Sequence, residues 1–343
     1  MRSTFIKIAS CIILAIVVVA LLFGFSNEPN TLKNGFYRQF LPPARQLAEM
    51  NYKGRYARII GADQHSLTFT QLAPCLIYKT DLKLQLQSRL TIPFDTLKGL
   101  VSNFSLETDS GGIFVKAGNI PAILRYSYQG RFITNKRLQT RFSRAVMISE
   151  SSLVIRAFDT GNKNQEFQKL NLYNSTVQHE LNISEKFDDG GFATDGLLYY
   201  DRFSGHIFYV YLYSNEFLCL DTSLNMIYRA HTIDTNRTRP FPVARDYKHQ
   251  SFSAAVPLHV INNASCIYRG FLYICSSLVA DNETNSDFSR NAVIDVYDAA
   301  NGNYLRSFYI PKPKGTRLKS CAVLDNFLVA VFTNKIITYK PPM

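Results

Sequence analysis

Tryptophan is absent from this sequence, and charge is sparse: only 19% of its residues are Asp, Glu, Lys or Arg. Set against 46% hydrophobic residues, that scarcity excludes wholesale disorder and leaves enough apolar surface for a sizeable core. Signatures of chemistry are missing as well. None of the six cysteines forms a Cys-x-x-Cys pair, which removes the usual spacing of a structural zinc site. No His-Glu-x-x-His run, Gly-x-Ser-x-Gly elbow or glycine-rich phosphate loop occurs. Metalloprotease, serine-hydrolase and nucleotide-cofactor readings therefore have no motif to rest on. No cofactor and no metal is expected. Acid is the scarcer charge, with Asp+Glu 26 against Lys+Arg 38, a net of +12.

Arg2 and Lys7 precede an uncharged run of 18 mostly apolar residues, Ile8 to Phe25. Eighteen residues are about the minimum that spans the hydrocarbon layer of a bilayer. The cations orient it with the remainder of the chain outside the cytoplasm. No small-x-small cleavage site follows, so a retained anchor is preferred to a cleaved signal peptide. The organisation read from this is an anchor over 1–25, a polar linker over 26–33, and one domain over 34–343. The expected location is the cell inner membrane, single-pass, with a periplasmic domain. Without Arg2 and Lys7 the exported part keeps 36 basic and 26 acidic residues, a net of +10. The cysteines beyond the anchor are Cys75, Cys219, Cys266, Cys275 and Cys321. Cys266 and Cys275 flank a turn at Arg269-Gly270 and would sit diagonally, so buried thiols are expected rather than a disulfide.

Repeats decide the fold. Tight turns recur at Asp63–Ser66, Asp109–Gly112, Ser149–Ser152, Asp195-Gly196, Arg269-Gly270 and Asp325-Asn326. Each precedes a short β-rich run such as SLTFTQL, GIFVKAG or FLVAVFT. Asp and Gly suit the backbone of tight hairpins. A second series of strands, CLIYKTD to NAVIDVYDAANG, is followed each time by a more polar strand. Four strands in about 45 residues is the period of a propeller blade. The sequence thus predicts an all-β, six-bladed β-propeller behind an N-terminal transmembrane helix. The sixth unit lacks a fourth strand. Asn34–Pro42 (NGFYRQFLP) repeats the pattern of Asn301–Pro311 (NGNYLRSFYIP), so residues 34–42 are expected to pair with 334–340 and close the ring. LPPARQLAEM (41–50) is expected to make a helical turn.

With this pattern on the page, the chain resembles TolB-like six-bladed propeller proteins of the exported bacterial type, which have an NHL-like blade pattern. The resemblance covers residues 34–340 and rests on blade spacing alone. It implies a binding or scaffolding module, and it transfers no catalytic residue.

Long loops in a compact domain tend to be functional. Two stand out: 234–257 between the fourth and fifth units, and 277–290 inside the fifth. Propeller topology puts both on one rim. The first carries Arg237, Arg239, Arg245 and Lys248 among Phe241, Tyr247 and Phe252. The fifth-to-sixth connection adds Lys312, Lys314 and Arg317, and LQTRFSR adds Arg141 and Arg144. Arg237, Arg239, Arg245, Lys248, Lys312 and Lys314 are the candidate ligand-binding residues. Arginine offers bidentate contacts and the rings offer stacking, so the expected partner is a protein or an anionic envelope ligand. Nucleic acid is not expected outside the cytoplasm. The leading reading is a membrane-tethered, non-catalytic binding module. The alternatives are a propeller hydrolase acting on a glycan or lactone through channel-lining residues, and a structural subunit of an envelope complex.

Overall fold

The computed structural model describes residues 11–20, 34–52, 57–71, 76–93, 104–109, 111–237, 239–246, 248 and 251–342. Six four-stranded antiparallel sheets make up a six-bladed propeller. Blade one holds β2 (Ala57–Ala62), β3 (Ser66–Gln71), β4 (Leu76–Asp81) and β5 (Leu86–Thr91). Blade two holds β6 (Phe104–Asp109), β7 (Gly112–Ala117), β8 (Ala122–Tyr126) and β9 (Phe132–Arg137). Blade three holds β10 (Phe142–Met147), β11 (Ser152–Phe158), β12 (Gln165–Asn171) and β13 (Val177–His179). Blade four holds β14 (Gly196–Asp201), β15 (His206–Tyr211), β16 (Glu216–Leu220) and β17 (Met226–His231). A hairpin, β18 (Val243–Asp246) and β19 (Ser251–Ala254), rises before blade five. Blade five holds β20 (Asn262–Tyr268), β21 (Phe271–Ser276), β22 (Asn291–Asp298) and β23 (Tyr304–Pro311), with a short helix α1 (Asn285–Arg290) between its second and third strands. Blade six holds β24 (Ser320–Leu324), β25 (Phe327–Val331) and β26 (Lys335–Lys340), and its fourth strand is β1 (Arg45–Asn51).

Burial follows strand position. Every residue of β7 and β16 is buried, whereas β5 and β9 are mostly exposed, β17 half exposed and β13 wholly so. That is why second and third strands read as apolar runs and fourth strands as polar ones. The core is not one mass but a cluster at each junction between blades. Phe208, Val210 and Phe217 of blade four meet Leu272, Ile274 and Tyr297 of blade five. Leu67 and Phe69 of blade one meet Val329, Val331 and Ile336 of blade six, so the apolar belt runs all the way round. Each such side chain contributes roughly 1.5–3 kcal/mol by leaving water.

The structure corrects three sequence expectations. The first concerns the latch. Residues 34–42 do not pair with 334–340; β1 does, antiparallel from Arg45↔Lys340 to Asn51↔Lys335. Residues 39–44 instead lie along β23, with a parallel bridge Phe40↔Ser307 and bonds from Leu41 N to Ser307 O (2.8 Å) and from Ala44 N to Tyr309 O (2.8 Å). The segment therefore docks on the very strand whose pattern it repeats. The second concerns residues 45–50, which are strand and not helical turn. The third concerns blade four. Asp195-Gly196 is the entry to β14, and the first-to-second-strand turn is Asp201–His206, held by the Asp201 carboxylate accepting from Ser204 Oγ (2.7 Å) and closed by Gly205 at φ +71°.

Residues 11–20 are helical and belong to a separate unit that ends at Asn34. Among the described residues no helix is long and apolar enough to cross a membrane. The rest of the expected span Ile8–Phe25 lies outside the described residues.

Candidate functional site

Antiparallel alternation puts the between-blade connections and the second-to-third-strand loops on one rim of a propeller. Both insertions belong to that rim. The base of the first is fixed by Asp234: Thr232 Oγ1 and Asn236 N donate to its carboxylate, and Asn215 Nδ2 donates to its carbonyl (2.7 Å). Ile233 at this base and Leu278 and Ala280 of the second insertion close around Phe36, which is buried. The N-terminal segment is thus the shared filling between the two insertions.

Arg38 fastens that segment. Its Nε and Nη2 donate to the two carboxylate oxygens of Asp295 at 2.8 and 3.1 Å, and Nη1 donates to Leu278 O (3.0 Å) and to Glu283. Burial works against the guanidinium charge, but Asp295 and Glu283 outweigh it and raise the Arg38 pKa further above its ordinary value. Asn282 Nδ2 also donates to Arg38 O (2.9 Å). Sequence reasoning missed this cluster because Arg38 and Asp295 stand 257 positions apart.

The hairpin β18–β19 seats on the connection between blades three and four. Arg245 pairs across the hairpin with Phe252, holds its guanidinium 5.3 Å from that ring, and donates from Nη2 to Asp188 O (3.0 Å). Gly190, at φ +76°, lets the hairpin approach: a Cβ there would stand 2.8 Å from the Phe252 Cβ. Asp188–Gly191 is therefore a turn beneath the hairpin, with Asp189 capping Gly191 N and Ala193 N (2.9 and 2.8 Å). Beside it opens a cavity of about 340 Å³ whose walls include Arg141, Asn119, Gln165, Phe158, Phe192 and Phe252.

A second cavity, about 290 Å³, lies on the same rim between blades five and six. Lys312 and Arg317 line it with His259, Ser276, Ser277 and Phe288. Lys312 Nζ donates to Phe288 O (3.0 Å) and stands 5.6 Å from the Phe288 ring centre. Burial lowers the Lys312 pKa, and the nearby Arg317 adds to the shift.

The six candidate residues thus divide. Arg245 and Lys248 sit on the hairpin, and Lys312 sits in the second cavity. Arg237, Arg239 and Lys314 are exposed on the connections. The two cavities share no lining residue. Tyr247 and His249 lie outside the described residues.

Elsewhere, Arg58, Lys116 and Arg144 line a small void of about 130 Å³ by the first strands. Lys116 Nζ donates to Glu107 (2.6 Å), and Arg144 Nη2 donates to Asp195 (2.9 Å). Among the described residues no group of three or more His, Cys, Asp or Glu could hold a metal ion. The opposite rim carries a cavity of about 450 Å³ between blades one and two, which the sequence did not signal. There Arg202 pairs with Asp109, and Asp63 is held below the ordinary carboxylate range, against its partial burial, by Ser66, the His65 N–H and the nearby Lys79.

No protein-family model and no curated protein matches this sequence. Among solved structures, the chain is similar to a member of the DUF4221 family from Bacteroides vulgatus, with TM-score 0.55 and 14% identity over 89% of this chain and 96% of that one. It is also similar to the Pan2 WD40 domain of Neurospora crassa, with TM-score 0.47 and 11% identity over 88% and 96%. At 14% identity the first likeness shows the six-bladed propeller fold alone and does not extend to TolB-like kinship or to export.

Proposed function

We propose that this chain is a non-catalytic binding propeller of TolB-like type, tethered outside the cytoplasmic membrane by residues 8–25. Its partner is an anionic envelope ligand or an acidic protein surface, taken on the rim that carries both insertions. One observation carries the reading: the hairpin presents Arg245 over Phe252 at the edge of a cavity of about 340 Å³ with polar and aromatic walls. Exposed Arg237, Arg239 and Lys248 extend the same cationic field. The uncharged run Ile8–Phe25 and the net +10 beyond it support the tether and the sign of the partner.

The test is capture of partners from the cell's own envelope extract by the purified chain. The triple substitution Arg237→Glu, Arg239→Glu and Arg245→Glu is expected to reduce capture at least roughly tenfold, since rim charges act on association and on salt dependence. Thermal stability should fall only modestly: Arg237 and Arg239 are exposed and contribute within about 0.5 kcal/mol each, and Arg245 gives up one hydrogen bond of about 1 kcal/mol to Asp188 O. Undiminished capture by the triple variant would overturn the assignment of this rim.

A further inference from the structure

We infer that the cavity between blades five and six is a second site, partly open to solvent, for a small-molecule phosphate monoester. This goes beyond capture on the hairpin, because the two cavities have separate walls.

Charge points to an anion. Lys312 and Arg317 enter the cavity from one connection, and His259 from the strand lead-in opposite. No Asp or Glu is among the lining residues. Two cations close together at one wall repel, and the arrangement becomes favourable once a dianion binds beside both. A phosphate monoester carries close to two negative charges at neutral pH.

Hydrogen-bonding capacity points to oxygen atoms. Ser277 lines this cavity, and its Oγ is buried at the wall with no hydrogen-bond partner, so rotation about Cα–Cβ is what would turn it to a ligand. A buried hydroxyl without a partner costs free energy unless a ligand or water supplies one. Ser276 Oγ accepts from Leu278 N (3.2 Å), which leaves its own O–H to donate. Lys312 spends one of its three donors on Phe288 O. The cavity therefore gathers ammonium, guanidinium and hydroxyl donors, the groups from which a phosphate oxygen accepts.

Size and apolar surface point to a ligand larger than the bare ion. The volume of about 290 Å³ is near the lower end for small-molecule sites. Phe288, Leu258 and Leu318 give the remainder of the ligand an apolar wall.

Calorimetric titration of the full chain with inorganic phosphate and with a hexose 6-phosphate tests this. Saturable binding at one site is expected, tighter for the sugar phosphate. Lys312→Gln is expected to weaken it at least about tenfold, and Ser277→Ala, a change too small to unfold the blade, roughly threefold. Affinity should hold while Lys312 keeps its proton and fall as pH rises through its lowered pKa, earlier than for an ordinary lysine. The triple glutamate variant of the hairpin should bind phosphate as the parent does, so the two sites fail separately. Absence of saturable binding up to about 20 mM of either probe would overturn the inference. So would binding that both cavity variants leave intact, or that the hairpin variant abolishes.

Discussion

Replacing Arg38 by methionine is expected to destabilise the propeller by about 3–5 kcal/mol, because it strands two buried carboxylates. The Arg38 side chain is fully buried, as is that of Glu283, and Asp295 is 2% exposed. Asp295 would keep Ser307 Oγ as a donor, and Glu283 would keep Tyr309 Oη (2.7 Å), but neither would keep a cation. Chemical denaturation monitored by tyrosine fluorescence measures the loss. Adding Glu283→Gln and Asp295→Asn to Arg38→Met should recover part of it, since the stranded charge is what costs. A loss below about 1 kcal/mol for the single variant would show that the cluster does not hold the segment.

The second large effect concerns Cys266 and Cys321, on the first strands of blades five and six. Their sulfurs lie 3.4 Å apart, and both side chains are buried. Folding the chain in an oxidising glutathione buffer is expected to join them. Each thiol gives up its hydrogen, and the two electrons pass to glutathione disulfide, leaving two glutathione thiols. The bond closes a loop of 55 residues and should stabilise the fold by about 4 kcal/mol on the chain-entropy account. The hydrogen bond with Cys266 and then burial raise the Cys321 thiol well above its ordinary range. It is therefore a poor nucleophile once folded, and the bond should form during folding rather than after it. Peptide mapping without reductant reads the linkage, and the denaturation midpoint reads the gain. A Cys266–Cys275 bridge, or no bridge, would refute the pairing. The same mapping on protein taken from cells tests export, because such a bond persists only in an oxidising compartment.

How much of this was legible in the sequence depended on how local each signal was. Five of the six first turns were placed correctly, because their polar residues sit directly between two strands. The sixth was misplaced because Asp195-Gly196 looks like a hairpin turn, whereas Arg202-Phe203-Ser204-Gly205 hides its glycine behind an exposed phenylalanine. RQLAEMN reads as helix by composition, being rich in Leu, Ala, Glu and Met. It forms a strand because β26 offers an unpaired edge, and tertiary pairing outweighs so weak a preference. The rim bearing both insertions followed from topology. The division of its cations between two cavities did not, because it depends on where the hairpin seats, and Gly190 and Phe252 settle that 62 residues apart.

The docking of residues 35–44 on blade five has a mechanical consequence. The chain crosses from blade five to blade six before β1 adds the last strand, so it bridges that seam. A pull on the amino terminus is borne first by the Arg38 ion cluster and by the parallel bonds to β23, which lie across the chain. The strand that completes blade six lies downstream of both and feels no load until they give way. The segment is a strain relief, like the clamp that keeps a tug on a cable from reaching its soldered joint.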